Sequence, residues 1–175
     1  LIEVPTPNCK YMMELSRAIL YPEAAAQHAR WLRECPERYS PQIRVRAATG
    51  FAIPAAFYLE AQRERGRLLR EFLSAVFEQC DVLHTPLLNF PVPTRTETDV
   101  GSRSAMWKTI GQICNNTAPF NYLGLPAMSV PAGFSQGRLP VAMQLVAPPF
   151  RESVLFRVAG AWEQARAEET QIHPF

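Results

Sequence analysis

Apolar positions recur at helical spacing through the first half of the chain and gather into short unbroken runs in the second. From Thr6 to Leu20 the stripe is Met12, Leu15, Ala18 and Ile19, which predicts a helix interrupted at Pro22. Pro22 then suits the first turn of a second helix, Glu23 to Cys35, stopped by Pro36. Ser40 and Pro41 give a cap and a first-turn proline for a shorter helix towards Gly50. The longest helix is expected from near Pro54 to about Cys80. Its stripe is Tyr58, Ala61, Leu68, Leu69, Phe72, Leu73, Val76 and Phe77. Its other face interleaves Glu60, Arg63, Glu64, Arg67, Arg70 and Glu71, the pattern of a solvated, salt-bridged surface.

Past residue 80 the period changes. Asp81 to Pro86 reads as a short buried strand, 87–101 as a proline-rich surface loop, and Ser104 to Cys114 as a helix. Thr117 to Gln144 combines a capped helical turn, the strand Ala127 to Val130, a turn and the strand Val141 to Val146. Gly133 and Gly137 are the residues expected to supply positive φ in that turn. Both strands are apolar at nearly every position, so cover is expected on both faces. A last amphipathic helix follows from Glu152 to about Ala167. The expectation is one α/β domain over 1–175, mainly helical over 1–80 and strand-containing over 81–175, with a sheet covered by helices.

Composition narrows the function classes. Net charge is +2, too small to point to nucleic acid or an anionic membrane, and no run approaches the length of a membrane span. Arginine carries the positive charge; Lys10 and Lys108 are the only lysines. Cys9, Cys35, Cys80 and Cys114 lack zinc-ligand spacing and read as free thiols in a reducing, cytoplasmic setting. The chain begins at Leu1 in what reads as the tail of a strand, Leu1 to Pro5.

No phosphate-binding glycine loop, dinucleotide fingerprint, zinc-protease motif or nucleophile elbow is present, and no cofactor or metal is implied. His28, His84 and His173 lie on a helix, a strand and the tail, and of these His84 at a strand end is the one placed to line a site. Ser104 and Lys108, four apart, would form a nucleophile–base pair only if the lysine were desolvated, which nothing beyond Trp107 suggests.

The stretch around the second-half strands resembles the C-terminal segment of the amidase signature family. That segment typically reads Thr-x-Pro-x-Asn-x-x-Gly-x-Pro-x-x-Ser-x-Pro-x-Gly, then Leu-Pro-Val-Gly-x-Gln-x-x-Gly. The matching residues are Thr117, Pro119, Asn121, Gly124, Pro126, Ser129, Pro131, Gly133, Leu139, Pro140, Val141 and Gln144, with Ala142 and Ala147 standing where glycines are usual. Residues 81–86, the Tyr58-x-x-Ala61-x-x-x-Arg65 helix and the final helix through Ala161 to Ala165 are similar too.

The resemblance implies the C-terminal part of an enzyme that hydrolyses amide carbon–nitrogen bonds with a Ser–cis-Ser–Lys triad. That triad belongs to the family's N-terminal half, where the nucleophile sits in a Gly-Gly-Ser-Ser-type stretch. This chain has neither Gly-Gly nor Ser-Ser, so no catalytic residue carries over. Its expected role is to complete the family's mixed β-sheet, covered by helices, and shape the pocket for a small amide, with the N-terminal catalytic half as partner. A homodimer is the alternative cover for its apolar faces. Pocket candidates are Thr85, Pro86, the 87–101 loop and Asn121, although an asparagine in a turn more commonly bonds to turn backbone. The other reading is a non-catalytic binding or assembly module derived from an amidase.

Overall fold

The computed structural model describes residues 1–99, 101 and 105–166. Seven α-helices and three strands are present among them: α1 (Cys9–Glu34), α2 (Pro41–Thr49), α3 (Ala55–Phe72), β1 (Leu83–Pro86), α4 (Arg95–Thr98), α5 (Ala105–Cys114), α6 (Ala118–Leu123), β2 (Ala127–Phe134), β3 (Pro140–Val146) and α7 (Glu152–Arg166).

The first departure from the sequence pattern is α1. Two helices split at Pro22 are expected, yet one helix of 26 residues runs through the proline. Pro22 has no N–H to give the Ala18 carbonyl, a cost that would normally end the helix. Packing outweighs it. Tyr21 and Ala25, either side of the proline, are buried where the chain passes over them at Gly50. A Cβ on Gly50 would sit 1.9 Å from the Tyr21 carbonyl oxygen, so only glycine lets the two backbones meet so closely. Leu1 to Pro5 forms no strand, and Asn8 with φ 60° precedes the helix.

The α2 start follows its signals: the Ser40 hydroxyl accepts from the Ile43 amide and Pro41 opens the helix. The predicted α3 stripe is also the buried one, through Ala61, Leu68 and Phe72. The helix closes in a π-helical turn, Leu73–Phe77, which keeps Val76 buried. On its outer side Arg67 pairs with both Glu64 and Glu71, as the interleaved charges predict. Within the expected loop, Thr94 and Glu97 build a reciprocal capping box that sets up the short α4. The Thr-x-x-Glu signal for it was present in the sequence.

The three strands run in the order β1-β3-β2, with both pairings antiparallel. The expected mixed pairing is absent among the described residues: the short turn between β2 and β3 admits only antiparallel strands, and β1 joins the other edge of β3 in the same sense. At that turn Arg138 donates its N–H to the Ser135 carbonyl and then takes φ 59°. Arg138 thus supplies the left-handed residue expected of Gly137, while Gly133 (φ 133°) serves a bulge between Pro131 and Gly133.

Cover on both strand faces is found at the far end of β3. Val146 joins a core with Met12, Leu15, Ala61, Leu68, Phe72, Phe120 and Leu123, on α1, α3 and α6. Its neighbour Leu145 points the other way, into a core with Val130, Ala147, Leu155 and Ala159 under α7. One sheet therefore carries helices on both faces, an α/β layering. The hairpin tip departs from the expectation: Phe134, Leu139 and Val141 are exposed. The β2 edge is tied down where the Trp162 indole and Arg166 donate to the Pro131 carbonyl. No described helix is long and apolar enough to cross a membrane.

Candidate functional site

The sheet's buried polar residue among those described is Gln144, from the matched motif. Its side-chain amide donates to the Thr85 hydroxyl oxygen at 3.1 Å and to the Asn116 carbonyl at 2.8 Å. A buried amide without such partners costs about 1–3 kcal/mol, so this pairing fixes β1, β3 and the α5–α6 connection against one another. Because Thr85 accepts from Gln144, its own hydroxyl proton is left to donate elsewhere. Asn116 extends the tie: it donates to the Pro86 carbonyl at 2.7 Å and exchanges two hydrogen bonds with Asn89. The chain leaving β1 is thereby anchored to the turn before α6.

Around this anchor lie three adjoining cavities. One of about 210 Å³ holds Thr85 beside Cys9, Asn116 and Phe120. A more open one, about 580 Å³, is bounded by Phe90, Trp107, Lys108 and Asn115, and Asn115 is also in the wall of the first. The third, about 350 Å³, shares Met13 and Arg17 with the second and lies among α1, α2, α3, α5 and α6. Asn121 lines this third cavity and Thr85 the first, so the two sequence candidates sit at opposite ends of one run of hollows. Pro86 borders neither; its contribution is the carbonyl that holds Asn116.

The common turn-bonding role of asparagine is not the one found at Asn121. Its backbone caps the turn, accepting from the Gly124 amide, while its carboxamide has no hydrogen-bond partner among the described residues. Beside it, the buried Tyr122 hydroxyl donates to the Ala61 carbonyl at 2.7 Å. Burial, with Glu64 adding to it, pushes that phenol up to about 12. In the Thr85 cavity, burial pushes the Cys9 thiol up, a hydrogen bond with Thr6 opposing.

Sequence reasoning missed the electrostatics of the Asn121 cavity. Arg17, Arg46 and Arg65 line it against a single carboxylate, Glu23, which accepts from the Tyr58 hydroxyl at 3.1 Å. Arg65 was visible in the matched helix motif; Arg17 and Arg46 carried no local signal. Arg65 lies against Gly124, where a Cβ would be 2.7 Å from its guanidinium, and Arg17 lies against Gly111. Three of the lining hydroxyls are already committed, Ser16 to the Met13 carbonyl, Thr117 to the Cys114 carbonyl and Tyr122 to the Ala61 carbonyl. What the cavity offers is positive charge and amide hydrogen bonding.

The other candidates are dispersed. His84 is exposed on β1, and His28 bonds to the Tyr39 hydroxyl at 2.9 Å, away from the cavities. Lys108 borders the open cavity, but its partner Ser104 lies outside the described residues, as does His173. No cluster of three potential metal ligands occurs among the described residues.

Comparison with known proteins gives a consistent set of relatives. The Amidase family profile matches residues 1–156. An amidase of Pseudomonas putida is 31% identical over 99% of this chain and 37% of its own length. A glutamyl-tRNA(Gln) amidotransferase component of Cyanothece sp. is 32% identical over 93% of this chain and 38% of its own. Among solved structures, an amidase crystal structure superposes with a TM-score of 0.77 at 29% identity, over 94% of this chain and 37% of that one. A protein from a vestigial complex related to an s-triazine catabolic enzyme gives 0.73 at 27% identity, over 91% and 35%. The chain spans little more than a third of the length of these relatives.

Proposed function

The chain belongs to the amidase family, and we propose that it forms the substrate-holding wall of an enzyme that hydrolyses small amides. The chemistry itself then falls to a segment carrying the family's serine–serine–lysine set, which is the partner this chain is shaped to meet. In this reading Asn121 and the arginine-lined cavity receive the substrate. Thr85 closes the far end, and Pro86 holds the following loop in place through Asn116. The observation that supports it best is that Asn121, the motif's own asparagine, lines a hollow of substrate size with its side chain exposed and unpaired among the described residues. A carboxamide with both donor and acceptor unused matches the two edges of a bound amide.

The experiment is ammonia release from primary amides by this chain joined behind an amidase segment that carries the serine–serine–lysine set. Turnover is expected, and Asn121→Ala should raise KM about tenfold through loss of one or two hydrogen bonds. Unchanged KM and kcat in that variant would remove Asn121 from the site. If the joined protein is inert towards amides while still forming a stable complex, the reading as a binding or assembly module takes its place.

A further inference from the structure

We infer that residues 88–99 form a strap along the open cavity beside α1 and α5, and that it swings clear when one side-chain pair, Asn89 with Asn116, comes apart. The strap stands almost free of the body of the protein. The last backbone tie before it is the Leu87 amide, which donates to the Ala142 carbonyl of β3 at 3.4 Å. Beyond Leu87, the hydrogen bonds from 88–99 to the rest of the chain, among the described residues, are the two between Asn89 and Asn116. None of residues 88–99 is buried, and Arg95, Glu97 and Asp99 form no ion pair among the described residues. A segment held by so few contacts opens at far lower cost than the fold as a whole.

The latch has a fixed half and a moving half. Asn116 is the fixed one: its backbone carbonyl accepts from the buried Gln144 at 2.8 Å, and its carboxamide donates to the Pro86 carbonyl at 2.7 Å. That carboxamide also donates to Asn89 at 2.7 Å and accepts from Asn89 at 2.9 Å and from Asn115 at 3.3 Å, so its hydrogen-bonding capacity is filled. Asn89 is the moving half, exposed and bonded to Asn116 alone among the described residues. Between its ends the strap is stiff. Pro91 and Pro93 fix φ, and the Thr94–Glu97 capping box closes on itself, so that end keeps its shape without support from the body. Bending is thereby left to Leu87 and to Gly101, which takes φ 55° with nothing within 4 Å of where a Cβ would stand. Asn89 and Phe90 are the strap's side of the 580 Å³ cavity, facing Arg17 of α1 with Trp107 and Lys108 of α5. Release of Asn89 therefore lifts one wall of the hollow and uncovers Trp107.

Asn89→Ala removes the latch at an exposed position and leaves the cores untouched. A neutral hydrogen bond changes an equilibrium constant by about two- to tenfold, so losing both should raise the open population about tenfold. Brief digestion with dilute trypsin, read by mass spectrometry, should show cutting after Arg95 accelerate by that factor while cutting at the other arginines keeps its original rate. Acrylamide should also quench the tryptophan emission of Asn89→Ala more strongly than that of the unaltered chain, and adding Trp107→Phe should abolish the difference. Unchanged cutting after Arg95, or an acceleration shared by every arginine, overturns the latch. Faster cutting after Arg95 without added quenching at Trp107 overturns the strap as a wall of the cavity.

Discussion

Replacing Gly50 by alanine adds one methyl group at the place where α1 and the end of α2 touch. Gly50 has φ −60° and ψ −27°, an ordinary helical conformation, so the substitution meets no backbone strain of its own. The obstacle is space. The new Cβ would lie 1.9 Å from the Tyr21 oxygen, 2.4 Å from its carbonyl carbon and 2.7 Å from the Ala25 Cβ. Two of these three are backbone atoms of a helix and cannot swing aside, so α2 must lift by more than an ångström. Overpacking of this kind costs about 1–3 kcal/mol, and contact with backbone puts Gly50→Ala at the upper end. At about 3 kcal/mol the melting temperature falls by ~6–12 °C for a chain of this size. The lifted helix also carries Arg46 away from the cavity. Urea unfolding of the two proteins measures the loss directly. A destabilisation under about 1 kcal/mol, with an unchanged m-value, would refute the close packing of α2 on α1.

Gly66→Ala is the matching control, because its Cβ meets nothing nearer than the Arg70 guanidinium at 3.7 Å; it should stabilise the chain by about 0.5–1 kcal/mol in the same urea assay. Gln144→Leu strips the Asn116 carbonyl and the Thr85 hydroxyl of their donor, and a loss of about 1–3 kcal/mol is expected. A loss below about 0.5 kcal/mol would show that water replaces the amide at no cost. Tyr122 adds a pH signature. Its folded phenol is raised from 10.0 to about 12, so its contribution to stability is complete below pH 10 and is lost as the pH climbs towards 12. Phenolate absorbance should show a late step that Tyr122→Phe removes.

Periodic segments were legible in the sequence wherever burial is one-sided. The α3 stripe faces the core that its pattern predicts, α7 turns Val154, Leu155 and Ala159 inwards, and the β3 run is covered at its far end through Leu145 and Val146. Punctuation was less readable. Pro22 carries a strong stop signal, but the contact that overrides it lies at Gly50, 28 positions on, and a local reading has no access to it. The same limit explains Arg138, whose left-handed turn depends on where the bulge at Gly133 sets the hairpin register. For the site, the motif pointed to Asn121 and Thr85 because both sit in recognisable runs. The arginines were invisible as a group: Arg17, Arg46 and Arg65 are ordinary helix residues until three helices bring them around one cavity.

The division of labour between a substrate-holding chain and a catalytic partner is tested most directly by ammonia release from primary amides with this chain alone. The account predicts no release above buffer. Turnover by the isolated chain, abolished by Ser104→Ala or Lys108→Ala, would contradict it and place the chemistry within these 175 residues.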